Sequence, residues 1–150
     1  MKKLLFVLAF AMLCTVTTKA QTSYKAALGL GIDAIDNSTY VGATGKYFFT
    51  ANHVGQADLG FESNATIITV LYSYHKSFRG APGLRWYVGA GPSIILRDGD
   101  NSFALRPHLG LDYKINGVPI VLNFDWRPFV GLGDAGNEVG SFGLGLQFAF

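Results

Sequence analysis

From Val139 to Phe150 the chain alternates, with Phe142, Leu144, Leu146, Phe148 and Phe150 on one side and Gly143, Gly145, Gln147 and Ala149 on the other. Successive side chains of a strand point to opposite faces, so this period of two predicts a strand with one apolar face. Twelve residues reach about 40 Å at ~3.3 Å each, enough at a tilt of roughly 40° to cross an apolar band of about 25 Å.

The same alternation predicts seven strands upstream. Residues 24–33 set Tyr24, Ala26, Leu28, Leu30 and Ile32 against Lys25, Ala27, Gly29, Gly31 and Asp33. Residues 40–50 set Val41, Ala43, Tyr47 and Phe49 against Gly42, Thr44, Lys46 and Phe48. Residues 54–62 and 66–77 alternate more weakly, and their register is the least defined. Residues 84–97, 103–115 and 118–128 give the clearest patterns after the last strand, with Arg85, Arg106, Asp112, Lys114, Asp125 and Arg127 on the polar side. Asn116-Gly117, Ala81-Pro82-Gly83 and Ala51-Asn52-His53 read as turns at one end. Connections near 34–39, 63–65, 98–102 and 130–138 fall at the other, outer end.

Eight antiparallel strands, an even number, return the chain to the side it started from, as an exported barrel requires. The expected fold is all-β, an eight-stranded up-and-down transmembrane β-barrel. A soluble barrel also alternates, but it turns its polar set to water. Here that set is rich in glycine and mixes both signs of charge, which suits the inside of a barrel just wide enough for its own side chains. The apolar set then faces lipid. A buried charge costs several kcal/mol unless paired, so Lys25, Lys46, Arg85, Arg106, Lys114 and Arg127 are expected to form an interior ion-pair network with Asp33, Asp58, Glu62, Asp112 and Asp125. Tyr24, Trp86, Tyr113 and Trp126, near strand ends, are expected in interfacial aromatic girdles. Pro92 and Pro107 each remove a ladder donor, so a bulge or gap is expected where they face each other.

The first twenty residues follow a different pattern: Lys2 and Lys3, an apolar run from Leu4 to Leu13, then a more polar stretch to Ala20. The run is short of the roughly 20 apolar residues a membrane helix needs, so residues 1–20 read as a secretory signal peptide cleaved after Ala20. Residues 21–150 then form one barrel domain. A lipoprotein reading of Cys14 fails at Leu13, where a small residue is required, and leaves the polar tail unexplained. The mature chain has no cysteine and hence no disulfide. Without Lys2, Lys3 and Lys19, nine basic residues face ten acidic ones, a net charge of −1. That removes the compositional case for a nucleic-acid partner.

Arg85-Trp86-Tyr87-Val88-Gly89-Ala90-Gly91-Pro92, then Asp125-Trp126-Arg127-Pro128 and a final Phe, resembles the small outer-membrane β-barrel proteins common in Bacteroidota. The resemblance covers essentially the whole mature chain. It implies insertion by the barrel-assembly machinery, which in such proteins reads the aromatic last strand, here Phe142, Leu144, Leu146, Phe148 and Phe150. Within this class the adhesin-like eight-stranded group is second, since the outer loops look short for adhesion.

Candidate chemistry is sparse. Gly131-Leu132-Gly133-Asp134-Ala135-Gly136 has dinucleotide-fingerprint spacing, but a strand follows where a helix is required. Ser73 and His75 share a face without an evident acidic orienter, which favours inward polar filling over a hydrolase pair. His53 and His108 lack metal-ligand spacing. Asp98, Asp100, Asp134 and Glu138 place acidity on the outer loops, where divalent cations bridging lipopolysaccharide phosphates could gather, though solvated loop charges are the plainer reading. The expectation is therefore a monomeric outer-membrane protein surrounded by lipid and lipopolysaccharide, without cofactor, metal or catalysis. A narrow pore and an envelope lipid enzyme are the alternatives, the latter disfavoured because the outward set contains no histidine.

Overall fold

The computed structural model describes residues 24–150. The expected signal peptide and its cleavage after Ala20 lie outside the described residues. Six long strands come first: β1 (Ala26–Ile35), β2 (Ser38–Phe48), β3 (His53–Glu62), β4 (Ala65–Ser77), β5 (Leu84–Arg97) and β6 (Asp100–Lys114). Then follow β7 (Ile120–Trp126), β8 (Phe129–Leu132), β9 (Asn137–Glu138) and β10 (Phe142–Ala149). Each strand from β1 to β6 pairs antiparallel with the next, β7 pairs with β10, and β10 returns to β1. The sheet therefore closes into a barrel of eight staves. Two staves are interrupted: β8 continues the line of β7 along β6, and β9 leads into β10.

Closure removes every unpaired edge, which a sheet in lipid requires. The barrel has a proximal end, where β1 begins and β10 finishes, and a distal end. Three distal connections are two-residue turns, Asp36-Asn37, Ser63-Asn64 and Asp98-Gly99, with Asp36 and Gly99 at positive φ (52° and 80°). An aspartate tolerates that left-handed conformation better than most residues, and a glycine adopts it freely. The proximal connections over 49–52, 78–83 and 115–119 are longer.

The prolines break the ladder, but not between themselves. β5 and β6 pair without interruption, with Ala90 opposite Pro107 and Pro92 opposite Leu105. The expected gap in their shared pairing is thus absent. Gaps open on the outer edges of the same two strands. β4–β5 pairing skips from Thr69↔Ser93 to Tyr72↔Ala90, beside Pro92. β6 skips from Leu109↔Trp126 to Leu105↔Val130, a register that sets Pro107 against Pro128. A strand residue aims its N–H at one neighbour only, so a proline removes a donor from one edge and spares the other.

A second irregularity lies where the barrel closes. The N–H groups of Lys25 and Ala26 both point at the carbonyl of Phe150, at 2.9 and 3.5 Å. Two residues against one make a β-bulge, which shifts the alternation ahead of Ala26 by one position. Tyr24 therefore turns into the lumen and Lys25 out of it, the reverse of the expected placement.

Candidate functional site

The lumen has three layers. At the distal end Ile35, Tyr40, Ala65, Ile67, Ile95, Ala104 and Phe129 pack into an apolar plug. At the proximal end Tyr24, Ala27, Phe48, Val54, Val121 and Ala149 form another. Between them lies a polar waist of charged and amide side chains. It holds a cavity of about 20 Å³ bordered by Asp33, Thr44, Asp58, Asn123 and Arg127, room for about one water.

Arg127 organises the waist. Its guanidinium pairs with both carboxylate oxygens of Asp125, and Nη1 reaches Asp58 at 2.6 Å. Asp58 also accepts from Thr44 Oγ1 at 2.5 Å and from Gln56 Nε2 at 2.9 and 3.0 Å, and Asp125 accepts from the Tyr87 hydroxyl at 2.6 Å. Bidentate pairs of this kind are the strong form of the interaction. Arg106 makes a second fork with Asp33, and its Nη2 donates to Ser141 Oγ at 2.7 Å and to the Arg127 carbonyl at 3.0 Å. Arg127 lies in the Pro107/Pro128 gap, so its carbonyl is free to take that bond instead of a ladder bond. Towards the proximal end Lys46 Nζ meets Asp112 at 2.5 Å, and the Tyr24 hydroxyl donates to the same carboxylate at 2.8 and 2.9 Å.

Inward glycines make space for these groups. A Cβ on Gly143 would strike the Arg127 guanidinium, and one on Gly110 would sit 2.7 Å from the Tyr87 ring as well as against Asp125.

Eight of the eleven charges expected inside the barrel are brought together there: Asp33, Lys46, Asp58, Arg85, Arg106, Asp112, Asp125 and Arg127. Three are not. Lys25 is turned out by the bulge, its Nζ 5.8 Å over the Tyr47 ring. Glu62, the last residue of β3, is half-buried at the distal rim and makes no ion pair among the described residues. Lys114, the last of β6, folds onto the following turn and donates to the carbonyls of Ile115 and Val118 at 2.9 and 2.6 Å. The last two sit where strands run out, so alternation no longer decides which way they point. Arg85 is inside but unpaired. Opposite it in register is Asp112, whose oxygens are taken by Lys46 and Tyr24. Its guanidinium lies instead 4.9 Å from the Phe48 ring and 5.7 Å from that of Tyr24.

The outer surface is the complement of the lumen. Leu28, Leu30, Val41, Phe61, Val70, Leu109, Phe124, Leu144 and Leu146 are exposed and follow one another around the staves. Far more contiguous apolar surface is exposed than a monomer in water normally shows. Of the expected girdle, Trp86, Tyr113 and Trp126 face outward, and Tyr24 does not.

Among solved structures the chain is similar to the N-terminal β-barrel domain of Pseudomonas aeruginosa OprF, with a TM-score of 0.68 at 20% identity over 88% of this chain and 100% of that one. The shared feature is the fold, a closed eight-stranded antiparallel barrel. A more distant likeness is to Ail, the attachment invasion locus protein of Yersinia pestis, with a TM-score of 0.42 at 16% identity over 84% of this chain and 97% of that one. No protein-family model matches the chain, and no curated protein does.

Ser73 Oγ and His75 Nε2 are 3.1 Å apart, a hydrogen-bonded Ser–His pair. Both are buried inside the barrel, and His75 Nδ1 has no hydrogen-bond partner. A hydrolytic pair needs a third group to orient the imidazole and a path for substrate. The pair has neither, and the His75 ring stacks on Tyr87 at 4.6 Å as core filling. No group of three or more metal-ligating side chains occurs among the described residues.

The neutral partners of the waist, Thr44, Gln56, Tyr87, Ser141 and Gln147, are not part of the charged network expected from the sequence. The inward parity of Thr44, Gln56, Tyr87 and Gln147 is the available signal. Ser141 carries the same signal, since it shares the parity of Gly143 and Gly145 in the Val139–Phe150 run.

Proposed function

We propose that this protein is an integral barrel of the bacterial outer membrane, exported with its leader removed near Ala20, with a structural or accessory envelope role and no catalysis. One observation carries the reading: the same staves place an apolar surface outward and a charge-balanced, side-chain-filled lumen inward, closed by an apolar plug at each end. Such a surface is stable only against lipid, and such a lumen leaves no water column for solutes. The likeness of fold to the OprF barrel domain supports the location. The sequence resemblance to the Bacteroidota group supports the finer assignment. Partners in this reading are the surrounding lipid and lipopolysaccharide, and the assembly machinery that reads Phe142, Leu144, Leu146, Phe148 and Phe150 during insertion. The folded barrel is a monomer.

Two measurements on the purified protein test it. In detergent the folded barrel should run as a compact band that shifts on boiling, and in planar bilayers it should show no unitary conductance steps. Mobility unchanged by boiling, together with solubility in plain buffer, overturns the membrane reading. Conductance steps that change in Arg85→Ala or Arg106→Ala overturn the filled lumen and establish the narrow pore.

A further inference from the structure

The charges of residues 24–150 separate into three groups. Inside, Lys46, Arg85, Arg106 and Arg127 balance Asp33, Asp58, Asp112 and Asp125. The distal rim carries Asp36, Glu62, Asp98, Asp100, Asp134 and Glu138, with Arg97 the one cation. The proximal rim carries Lys25, Lys76, Arg79 and Lys114 and no Asp or Glu side chain. Just behind it, Arg85 borders the proximal mouth, 8% exposed and without an anionic partner, its Nη1 making no hydrogen bond. The one buried cation left unpaired in the lumen is thus at the end already rich in positive charge.

The aromatic rings are polarised too. Outward-facing rings that can hydrogen-bond, Trp126 apart, gather near the proximal end: His53 packs on Tyr72 at 5.9 Å and Tyr74 at 5.6 Å, and Tyr74 on Trp86 at 6.2 Å. Lys76 is the direct cross-strand partner of Trp86, and Lys25 lies over Tyr47. Rings with an apolar body and a polar tip settle at the headgroup level of a bilayer. The belt therefore sets the proximal cations at the depth of lipid phosphates.

We propose that the proximal rim binds the phosphate headgroups of anionic phospholipids in the leaflet it faces, through Lys76, Arg79 and Lys114 on one side of the barrel and Lys25 on the other. This rests on the membrane reading above. Soluble acidic partners fit less well, because the cations border the lipid-facing belt.

The chain has two tryptophans, which makes the test direct. Trp86, the third residue of β5, lies beside the proximal cations, and Trp126, the last of β7, lies further along the barrel. Trp126→Phe and Trp86→Phe proteins each leave one reporter. They are reconstituted in vesicles of phosphatidylcholine and phosphatidylglycerol with the chains of one lipid at a time brominated, since bromine quenches tryptophan on contact. Trp86 should report enrichment of phosphatidylglycerol, on the order of fivefold for one headgroup at one cation. Trp126 should show no preference. The Trp86 preference should fall with added salt and vanish when Lys76, Arg79 and Lys114 are all replaced by Gln. Lys76 and Arg79 are exposed and the Lys114 side chain bonds only the turn that follows it, so these replacements leave the lumen intact, and the salt titration makes the same test without any rim substitution. No preference at Trp86, or an equal one at both tryptophans, overturns the proposal while the membrane reading stands. If neither tryptophan is quenched by either lipid, the barrel is not in the bilayer and the membrane reading falls with it.

Discussion

Arg127 and Arg85 are both buried in the lumen, at 3% and 8% exposure. Arg127 meets Asp125 through a two-pronged contact and Asp58 through its remaining nitrogen, while Arg85 has two aromatic rings for company and no carboxylate. Both come from staves with the same alternation and both were expected in one ion network. What separates them is supply across the lumen. Arg127 sits in the waist among three carboxylates, whereas Arg85 shares a single aspartate with Lys46 and Tyr24, which reach it first. Alternation decides that a charge points inward, and the cross-barrel neighbours decide whether it is paired.

Removing Arg127 should produce the largest effect. Arg127→Met leaves Asp125 and Asp58 buried without their cation, and stranding a buried charge in this way costs about 3–5 kcal/mol. Urea unfolding in lipid vesicles, followed by loss of the compact gel band, reads this as a lowered midpoint at unchanged slope. The double variant Arg127→Met with Asp125→Asn should recover part of the loss, because one stranded carboxylate is then neutral. A single variant as stable as the parent would mean that Arg127 is not paired with Asp125 and Asp58 in the folded barrel.

Gly143 tests the same group by crowding it. Gly143→Val places side-chain atoms where the Arg127 guanidinium lies, so either the fork with Asp125 opens or β10 shifts. Overpacking a filled core costs about 1–3 kcal/mol, a smaller fall in the same midpoint. Combining Gly143→Val with Arg127→Met should cost less than the sum of the two, since the second change removes the group the first collides with.

How far the sequence foretold these clusters depends on how local the determining interaction is. Facing is local: in β4, where alternation was weak, Thr69, Ser73 and His75 still point inward and Val70, Tyr72 and Tyr74 outward. Parity fails where the ladder changes count. Nothing near Lys25 signals that its N–H will share the carbonyl of Phe150 with that of Ala26, because the bulge exists only once the barrel closes. The prolines show the same limit. That Pro92 and Pro107 break pairing was readable, but which edge breaks depends on the strand each N–H would have faced. Charge pairing is the least local of all: Lys46 and Asp112 are 66 positions apart, and Arg106 and Asp33 are 73.

Arg85 gives the smallest expected effect and the sharpest contrast. Arg85→Met keeps an unbranched apolar stem against Phe48 and Tyr24, so packing is largely retained. What is lost is the attraction of a cation for two ring faces, about 0.5–2 kcal/mol. What is gained is release from holding a desolvated guanidinium with Nη1 unbonded, a cost of similar size. The two nearly cancel, so the unfolding midpoint should stay within about 1 kcal/mol of the parent, in either direction, under conditions where Arg127→Met falls far below it. Equal losses in the two variants would mean that Arg85 has an anionic partner in the membrane. The phosphatidylglycerol content of the vesicle separates the cases: a loss that appears only with the anionic lipid assigns that partner to a headgroup at the proximal mouth, and one that persists in phosphatidylcholine alone assigns it to the protein.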